Sequence, residues 1–304
     1  MHRRTFLKAV AAGVLGARTL AGTAGATEGL ITRPVPRSGE RLPAIGMGSW
    51  LTFDVGDDAA SRTRRVEVLR AFFERGGAVI DSSPMYGSSE EVIGHCLAQL
   101  DYPRSLFSAT KVWTWGGLLG RAQMDASRDL WGVPRFDLMQ IHNLLDWDTH
   151  LETLRAWKAE GKIRYIGVTT SHGRRHEDLL EIMRHQDALD FVQFTYNLLD
   201  REAEQHLLPL AAERGLAVVI NRPFRRGALF DHVAGKALPA WAGEFGCANW
   251  AQFFLKFIVS HPAVTCAIPA TTQVAHMHEN MGAAYGEVPD AKTRRRMVSF
   301  VAAL

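Results

Sequence analysis

The sequence predicts one α/β domain built as a (β/α)8 TIM barrel, and three observations carry that expectation. From Ala44 onward, eight short apolar runs alternate with longer amphipathic ones. Near-continuous hydrophobicity over such short runs marks strands covered on both faces, and hence a parallel sheet. The length of 304 residues accommodates the fold, since barrels of this kind commonly run to about 250 residues as one unit, and no shift in composition marks an internal boundary. The doubly wound alternative calls for a G-x-G-x-x-G turn after its first strand. Here Gly46-Met47-Gly48 runs on into Ser49-Trp50 instead.

The elements follow in order. Residues 1–26 read as an address rather than as structure. His2-Arg3-Arg4-Thr5-Phe6-Leu7-Lys8 sets two arginines before an apolar pair, a weakly hydrophobic run follows from Ala9 to Ala17, and Ala24-Gly25-Ala26 offers small residues for cleavage. The segment resembles a twin-arginine signal peptide, which implies passage through the twin-arginine translocase to the periplasm and leaves residues 27–304 as the barrel domain. Thr32 to Arg41, rich in proline and charge, is expected to be a lead-in segment or a small hairpin. The strand runs are Ile45–Gly48, Ala78–Asp81, Leu106–Lys111, Phe136–His142, Tyr165–Val168, Asp190–Gln193, Ala217–Ile220 and Val264–Ile268. Between them, Arg64 to Arg75 places Val66, Leu69, Phe72 and Phe73 on one helical face, and Leu151 to Ala159 does the same with Leu151, Leu154 and Trp157. Both patterns end before glycine, at Gly76 and Gly161, where a residue of positive φ closes a helix.

Composition narrows the function classes. With 35 Lys+Arg against 32 Asp+Glu, the net charge is +3, and the basic residues of the first 26 account for the excess. Mixed charge without long single-sign blocks argues against disorder and against a nucleic-acid surface. No later run approaches the roughly 20 apolar residues of a membrane span, so none is expected after signal removal. Cys96, Cys247 and Cys266 form no C-x-x-C spacing and are expected to be free, buried, small apolar residues. The Arg294-Arg295-Arg296 triplet is expected on a solvated helix face.

A barrel of this kind assembles its site at the C-terminal ends of its strands. There the second run ends at Asp81 with Tyr86 five residues on, the third at Lys111 and the fourth at His142. Each residue alone has an ordinary structural explanation, as a turn cap, a packed ring, a snorkelling amine or a hydrogen-bonded imidazole. Together, three adjacent strands aim an acid, a cation, an imidazole and a phenol at one mouth. A buried Asp81–Lys111 pair beside Tyr86 is expected to lower the phenol's pKa and make it a proton donor near neutral pH, with His142 orienting a carbonyl oxygen. Trp50, Trp113, Trp115 and, with least support, Trp147 follow strand ends and are expected to wall an apolar substrate cleft.

The Asp81–Tyr86 segment, Ser108-Ala109-Thr110-Lys111 and Met139-Gln140-Ile141-His142 resemble the tetrad segments of the aldo-keto reductase superfamily, in the family order. The resemblance runs from Leu42 to Gly286 and takes in Gly161–Val168, Phe191–Asn197, Ile268-Pro269-Ala270-Thr271 and Glu279-Asn280. It implies NAD(P)(H)-dependent reduction of an aldehyde or ketone, with no metal. Tyr86 would be the proton donor, Asp81 and Lys111 would tune it, and His142 would position a small carbonyl substrate. The cofactor would be held by Gly48, Thr169, Thr170, Gln193, Asn221, Arg222, Pro223, Phe224, Arg226, Ile268, Ala270, Thr271, His276, Glu279 and Asn280, with NADP(H) ahead of NAD(H). Thr170 departs from the usual Asn, and Asn221 from the usual stacking aromatic. Ala270 and His276 replace the Lys and Arg that often clamp a 2′-phosphate, a task Arg225 and Arg226 would take over. A cofactor-binding sensor of the same fold, with little turnover, is the alternative, and a metal-dependent hydrolase or isomerase a more distant one.

Overall fold

The computed structural model describes residues 29–304; the expected signal, residues 1–26, lies outside them. The strands are β1 Thr32–Pro34, β2 Arg41–Pro43, β3 Met47–Gly48, β4 Val79–Asp81, β5 Phe107–Val112, β6 Phe136–Ile141, β7 Ile163–Thr169, β8 Phe191–Thr195, β9 Ala217–Asn221 and β10 Cys266–Ala267. The α-helices are α1 Ala59–Glu74, α2 Ser89–Gln99, α3 Gly117–Trp131, α4 Trp147–Ala159, α5 His176–His185, α6 Leu207–Glu213, α7 Ala228–His232, α8 Trp250–Val259, α9 Val274–Gly282 and α10 Ala291–Ala302. Strands β3 to β10 form one parallel sheet in chain order. It closes through a parallel bridge between Ile45 and Ala267, with Gly46 N donating to Ala267 O at 2.9 Å and Gly48 N to Pro269 O at 3.0 Å. The eight expected strands and the barrel are therefore present. The first and last are shorter than their apolar runs because closure there rests on bridge pairing.

The period of two along each strand sorts side chains between two environments. Ile80, Met139, Ile166, Val192 and Val218 face the helices in the larger core, whereas Val79, Phe107, Ala109, Leu138, Tyr165, Phe191 and Val219 fill the barrel interior. The expected hairpin, β1 paired antiparallel with β2, caps the interior from one end, since Val35 and Leu42 belong to the same inner cluster. Moving two residues along from these inward apolar positions reaches Asp81, Lys111, Gln140, Gln193 and Asn221. The same alternation that fills the barrel thus stacks a polar layer on top of it.

Helix boundaries follow local chemistry. Helix α1 starts five residues before the apolar pattern because Asp58 accepts from Ser61 N at 2.7 Å, an N-cap that periodicity does not reveal. Gly76 and Gly161 take φ of 77° and 73°, as expected. All three cysteines are buried and free, and burial pushes the Cys96 and Cys247 thiols up to about 12. The arginine triplet departs from expectation at Arg294. Its guanidinium turns inward to Phe257 O, Ser260 Oγ at 2.7 Å and Tyr196 OH at 2.6 Å, tying α10 to α8.

Candidate active site

A cavity of about 800 Å³ opens at the C-terminal ends of the strands. On one side of it, Lys111 Nζ donates to Asp81 Oδ2 at 2.5 Å and to Ser82 O at 2.6 Å, both residues being almost wholly buried. The other carboxylate oxygen of Asp81 accepts from Gln140 Nε2 at 2.8 Å and Gln193 Nε2 at 3.0 Å. Lys111 lies 5.3 Å from the centroid of the Tyr86 ring, which meets the His142 ring edge-on at 5.7 Å. The Tyr86 loop is pinned by Tyr86 N donating to Ser83 O and by Asp54, which accepts from Ser88 N and Ser88 Oγ at 2.9 Å. The structure thus brings Asp81, Tyr86, Lys111 and His142 together.

The electrostatics differ from expectation in one respect. Burial of the Tyr86 phenol outweighs the ammonium of Lys111, and Asp81 adds to the burial, so the phenol sits above the ordinary tyrosine value rather than below it. It is protonated at neutral pH. Burial also works against the Lys111 ammonium, but Asp81 and Tyr86 together hold its pKa above the ordinary lysine value. Burial, with Lys111 nearby, drops His142 to about 2. The imidazole is therefore neutral, with Nδ1 hydrogen-bonded to Ser83 Oγ at 2.8 Å and Nε2 left for other contacts.

Gly48, Thr169, Thr170, Gln193, Asn221, Arg222, Pro223, Phe224, Arg226, Ile268 and Ala270 all line the cavity. Asn221 does not leave a gap where an aromatic was expected. Its Nδ2 donates to Thr170 O at 2.8 Å and its Oδ1 accepts from Thr195 Oγ1 at 2.8 Å, linking β9 to β8 and the end of β7. Phe224 presents the aromatic surface on that side, packed against Phe230 at 4.9 Å. The Thr170 hydroxyl is buried, lines the cavity and has no hydrogen-bond partner among the described residues. At Gly48 a Cβ would stand 3.0 Å from Ile268 O, so a side chain there would fill the floor. An orphaned hydroxyl and a floor kept clear of side chains suit a flat polar group such as a carboxamide.

Several expected site residues lie elsewhere. Trp113 and Trp115 are 40% and 67% exposed and do not line the cavity. The loop before α3 turns outward, held by Trp113 N donating to Gln123 Oε1 at 2.6 Å and Gly116 N to Asp146 Oδ2 at 2.7 Å. Trp147 packs against the outer core at the start of α4. Of the four expected tryptophans, Trp50 lines the cavity, where Leu51, Met85, Phe224 and Phe230 supply the other apolar surface. Thr271, His276, Glu279 and Asn280 stand outside the lining, the last three on α9 itself. Arg225 points to Asp200 at 3.4 Å.

The structure also adds residues the sequence did not single out. Gln140 and Ser83 anchor Asp81 and His142, and Asn143, His172, Arg174 and Arg175 line the mouth. Gln140 was legible in principle, since it lies two residues before His142 on the same inward face.

Comparison with known proteins agrees with this geometry. The model of the aldo/keto reductase family matches residues 44–295. Methylglyoxal reductase YeaE of Escherichia coli (strain K12) is 30% identical over 261 residues, 83% of this chain and 88% of its own length. The NADH-specific methylglyoxal reductase of the same organism is 26% identical over 239 residues, 66% of this chain and 69% of its own. Among solved structures, an aldo/keto reductase from Klebsiella pneumoniae, determined in complex with NADP and acetate, superposes with a TM-score of 0.72 at 25% identity, covering 86% of this chain and 93% of that one.

Proposed function

The chain belongs to the aldo/keto reductase family and is an oxidoreductase; from that premise we propose that it reduces an aldehyde or ketone to the alcohol with Tyr86 as proton donor. The observation that carries the reading is the buried Asp81–Lys111 pair at 2.5 Å beneath a phenol that faces a neutral imidazole in one cavity. Tyr86, kept protonated by burial, gives its proton to the carbonyl oxygen as negative charge develops there. The Lys111 ammonium stabilises the phenolate that remains, and Asp81 holds that ammonium in place. His142 carries no charge at neutral pH, so it orients the oxygen by a hydrogen bond from its second ring nitrogen and does not compete as an acid.

A nicotinamide cofactor, when bound, supplies the hydride. Thr170, Gln193 and Asn221 would hold its carboxamide, with Thr169 beside them. Phe224 would offer the stacking surface, Gly48, Ile268 and Ala270 the close-fitting floor, and Arg222 a phosphate contact, with NADP(H) ahead of NAD(H). The name of the YeaE relative makes methylglyoxal a sensible trial carbonyl. Titrating the protein with NADPH and NADH side by side, following quenching of Trp50, and then timing methylglyoxal-dependent cofactor oxidation tests the reading. Saturable binding and turnover are expected, and binding to neither cofactor would remove it. Residues 1–26 support export through the twin-arginine translocase to the periplasm. Cell fractionation should recover a chain beginning near Thr27 there, and retention of the full-length chain in the cytoplasm would contradict the proposal.

A further inference from the structure

The charge around the cavity is one-sided. Arg174, Arg175, Arg222 and Arg226 line it, whereas its one lining carboxylate, Asp81, is taken up by Lys111. Arg175 has its own acid, Asp178, at 2.8 Å. Arg222 Nη1 meets His172 Nε2 at 2.8 Å. Burial and the neighbouring cations Arg222, Arg174 and Arg226 hold that imidazole below the ordinary histidine value, so it offers a lone pair and no negative charge. Among the described residues Arg226 has no acidic or hydrogen-bonding partner for its guanidinium, which lies over the Trp50 ring at 4.7 Å from the centroid.

That position matters because of what else neighbours Trp50. Its ring is 6.5 Å from the Tyr86 ring, which in turn is 5.7 Å from His142. A guanidinium resting on an indole is held by the ring's quadrupole while its N–H donors project from the edges of its own plane. A planar fork suited to two-pronged contact with carboxylate or phosphate is thus held on a ring that also neighbours the phenol. Resting on the reductase reading, we propose that Arg226 determines substrate specificity and that the carbonyl substrate carries an anionic group, a carboxylate or a phosphate, a few bonds from its carbonyl carbon. The sequence groups Arg226 with the cofactor residues; the structure sets its guanidinium over Trp50, itself a neighbour of the Tyr86 ring.

The test compares carbonyl compounds that differ only in charge: 4-oxobutanoate against its methyl ester, and glycolaldehyde phosphate against glycolaldehyde. In the wild type, at least one anionic member should exceed its neutral twin in kcat/KM by tenfold or more. Arg226→Gln should bring that ratio close to one by raising KM for the anionic member at least tenfold more than for its neutral twin. Which pair shows the preference identifies carboxylate or phosphate. A wild-type ratio near one overturns the proposal, as does an Arg226→Gln variant that loses cofactor affinity tenfold and slows both twins equally, since Arg226 would then be a cofactor phosphate ligand. Calorimetric titration of the cofactor-saturated protein with succinate, which cannot be reduced, separates the two readings. Saturable binding that Arg226→Gln abolishes, without turnover of any carbonyl, would keep the anion site and remove the reductase. Absence of both binding and charge preference would remove the anion site.

Discussion

The two walls of the cavity are built on opposite principles. On the β4–β6 side, Asp81 and Lys111 near their strand ends and His142 in the turn after β6 are nearly inaccessible; Asp81 and Lys111 have their hydrogen bonds satisfied by protein, and His142 is held through Nδ1 by Ser83. On the β9 side, the chain from Arg222 to Gly227 is half-buried to exposed apart from the buried Pro223, and Arg222, Arg225 and Arg226 all hold left-handed backbone with φ of 51°, 50° and 58°. Such conformations cost on the order of 1 kcal/mol each in a residue with a side chain and persist where surrounding structure or a ligand favours them. The first wall is finished before any ligand arrives. The second leaves Arg226 without an acidic or hydrogen-bonding partner among the described residues, while left-handed backbone occurs on both walls, at Asn143 and Leu144 beside His142 as well.

The largest expected effect breaks the finished wall at the phenol that the proposed reading makes the proton donor. Tyr86→Phe keeps the ring but removes the transferable proton. It should lower kcat by about two to four orders of magnitude while leaving cofactor affinity within twofold, measured by single-turnover kinetics beside a fluorescence titration. Comparable loss of cofactor affinity would mean that Tyr86 belongs to both walls. Next in size is an asymmetry within the buried pair. Lys111→Met leaves Asp81 with two amide donors, Gln140 and Gln193, whereas Asp81→Ala leaves the ammonium with only Ser82 O. Unpairing a buried charge costs about 3–5 kcal/mol, so Asp81→Ala should fall at the upper end and Lys111→Met below it in denaturant midpoints. Equal losses would show that the glutamine amides do not compensate.

A smaller effect appears with pH. His142 titrates near 2 in the folded protein against an ordinary 6.5. Below about pH 6.5 the unfolded chain takes up a proton that the folded one refuses, so stability present at neutral pH is lost on acidification. At about 1.4 kcal/mol per unit of pKa difference, the contribution between pH 6.5 and 5 is about 2 kcal/mol. His142→Gln should flatten that slope. Some acid sensitivity should remain, because burial and Arg294 hold His261 down to about 4, so its unfolded form also takes up a proton in this window that the folded one refuses. An unchanged slope would place His142 in contact with water.

Legibility in the sequence follows the same division. The barrel, and the meeting of Asp81, Tyr86, Lys111 and His142 at one cavity, could be read because burial on both strand faces leaves an unbroken apolar run, and a polar residue ending such a run has few places to go. Asp81, Lys111 and His142 are inward positions in that strict sense. Trp113 and Trp115 were misplaced because position after a strand end says nothing about which way a loop turns. That direction is set by Gln123 and Asp146, 10 and 30 residues away from the backbone they hold. The Tyr86 pKa was read with the wrong sign for a related reason. Sequence proximity suggests the Lys111 cation, whereas burial, which outweighs it, arises from the whole mouth. The arginines of the second wall are grouped together in sequence, but only Arg222 and Arg226 line the cavity while Arg225 turns to Asp200, a division that exists only after folding.

The smallest prediction tests whether the second wall is unfinished in the sense claimed. Thr170 Oγ1 is buried without a partner, and a buried hydroxyl in that state carries a desolvation cost with no hydrogen bond to offset it. Thr170→Val keeps the shape and removes the hydroxyl. In the free protein it should be neutral or stabilising by up to about 1 kcal/mol, because nothing is broken and one unsatisfied group is gone. With cofactor present the sign should reverse, since the partner the hydroxyl lacks would be the nicotinamide carboxamide, and affinity should fall several-fold. Thermal midpoints with and without saturating NADPH read both effects in one experiment. A variant less stable in the free protein would mean that an ordered water already satisfies Thr170. A variant stabilised equally in both states would mean that the hydroxyl faces no ligand, and the carboxamide would then be held by Gln193 and Asn221 alone.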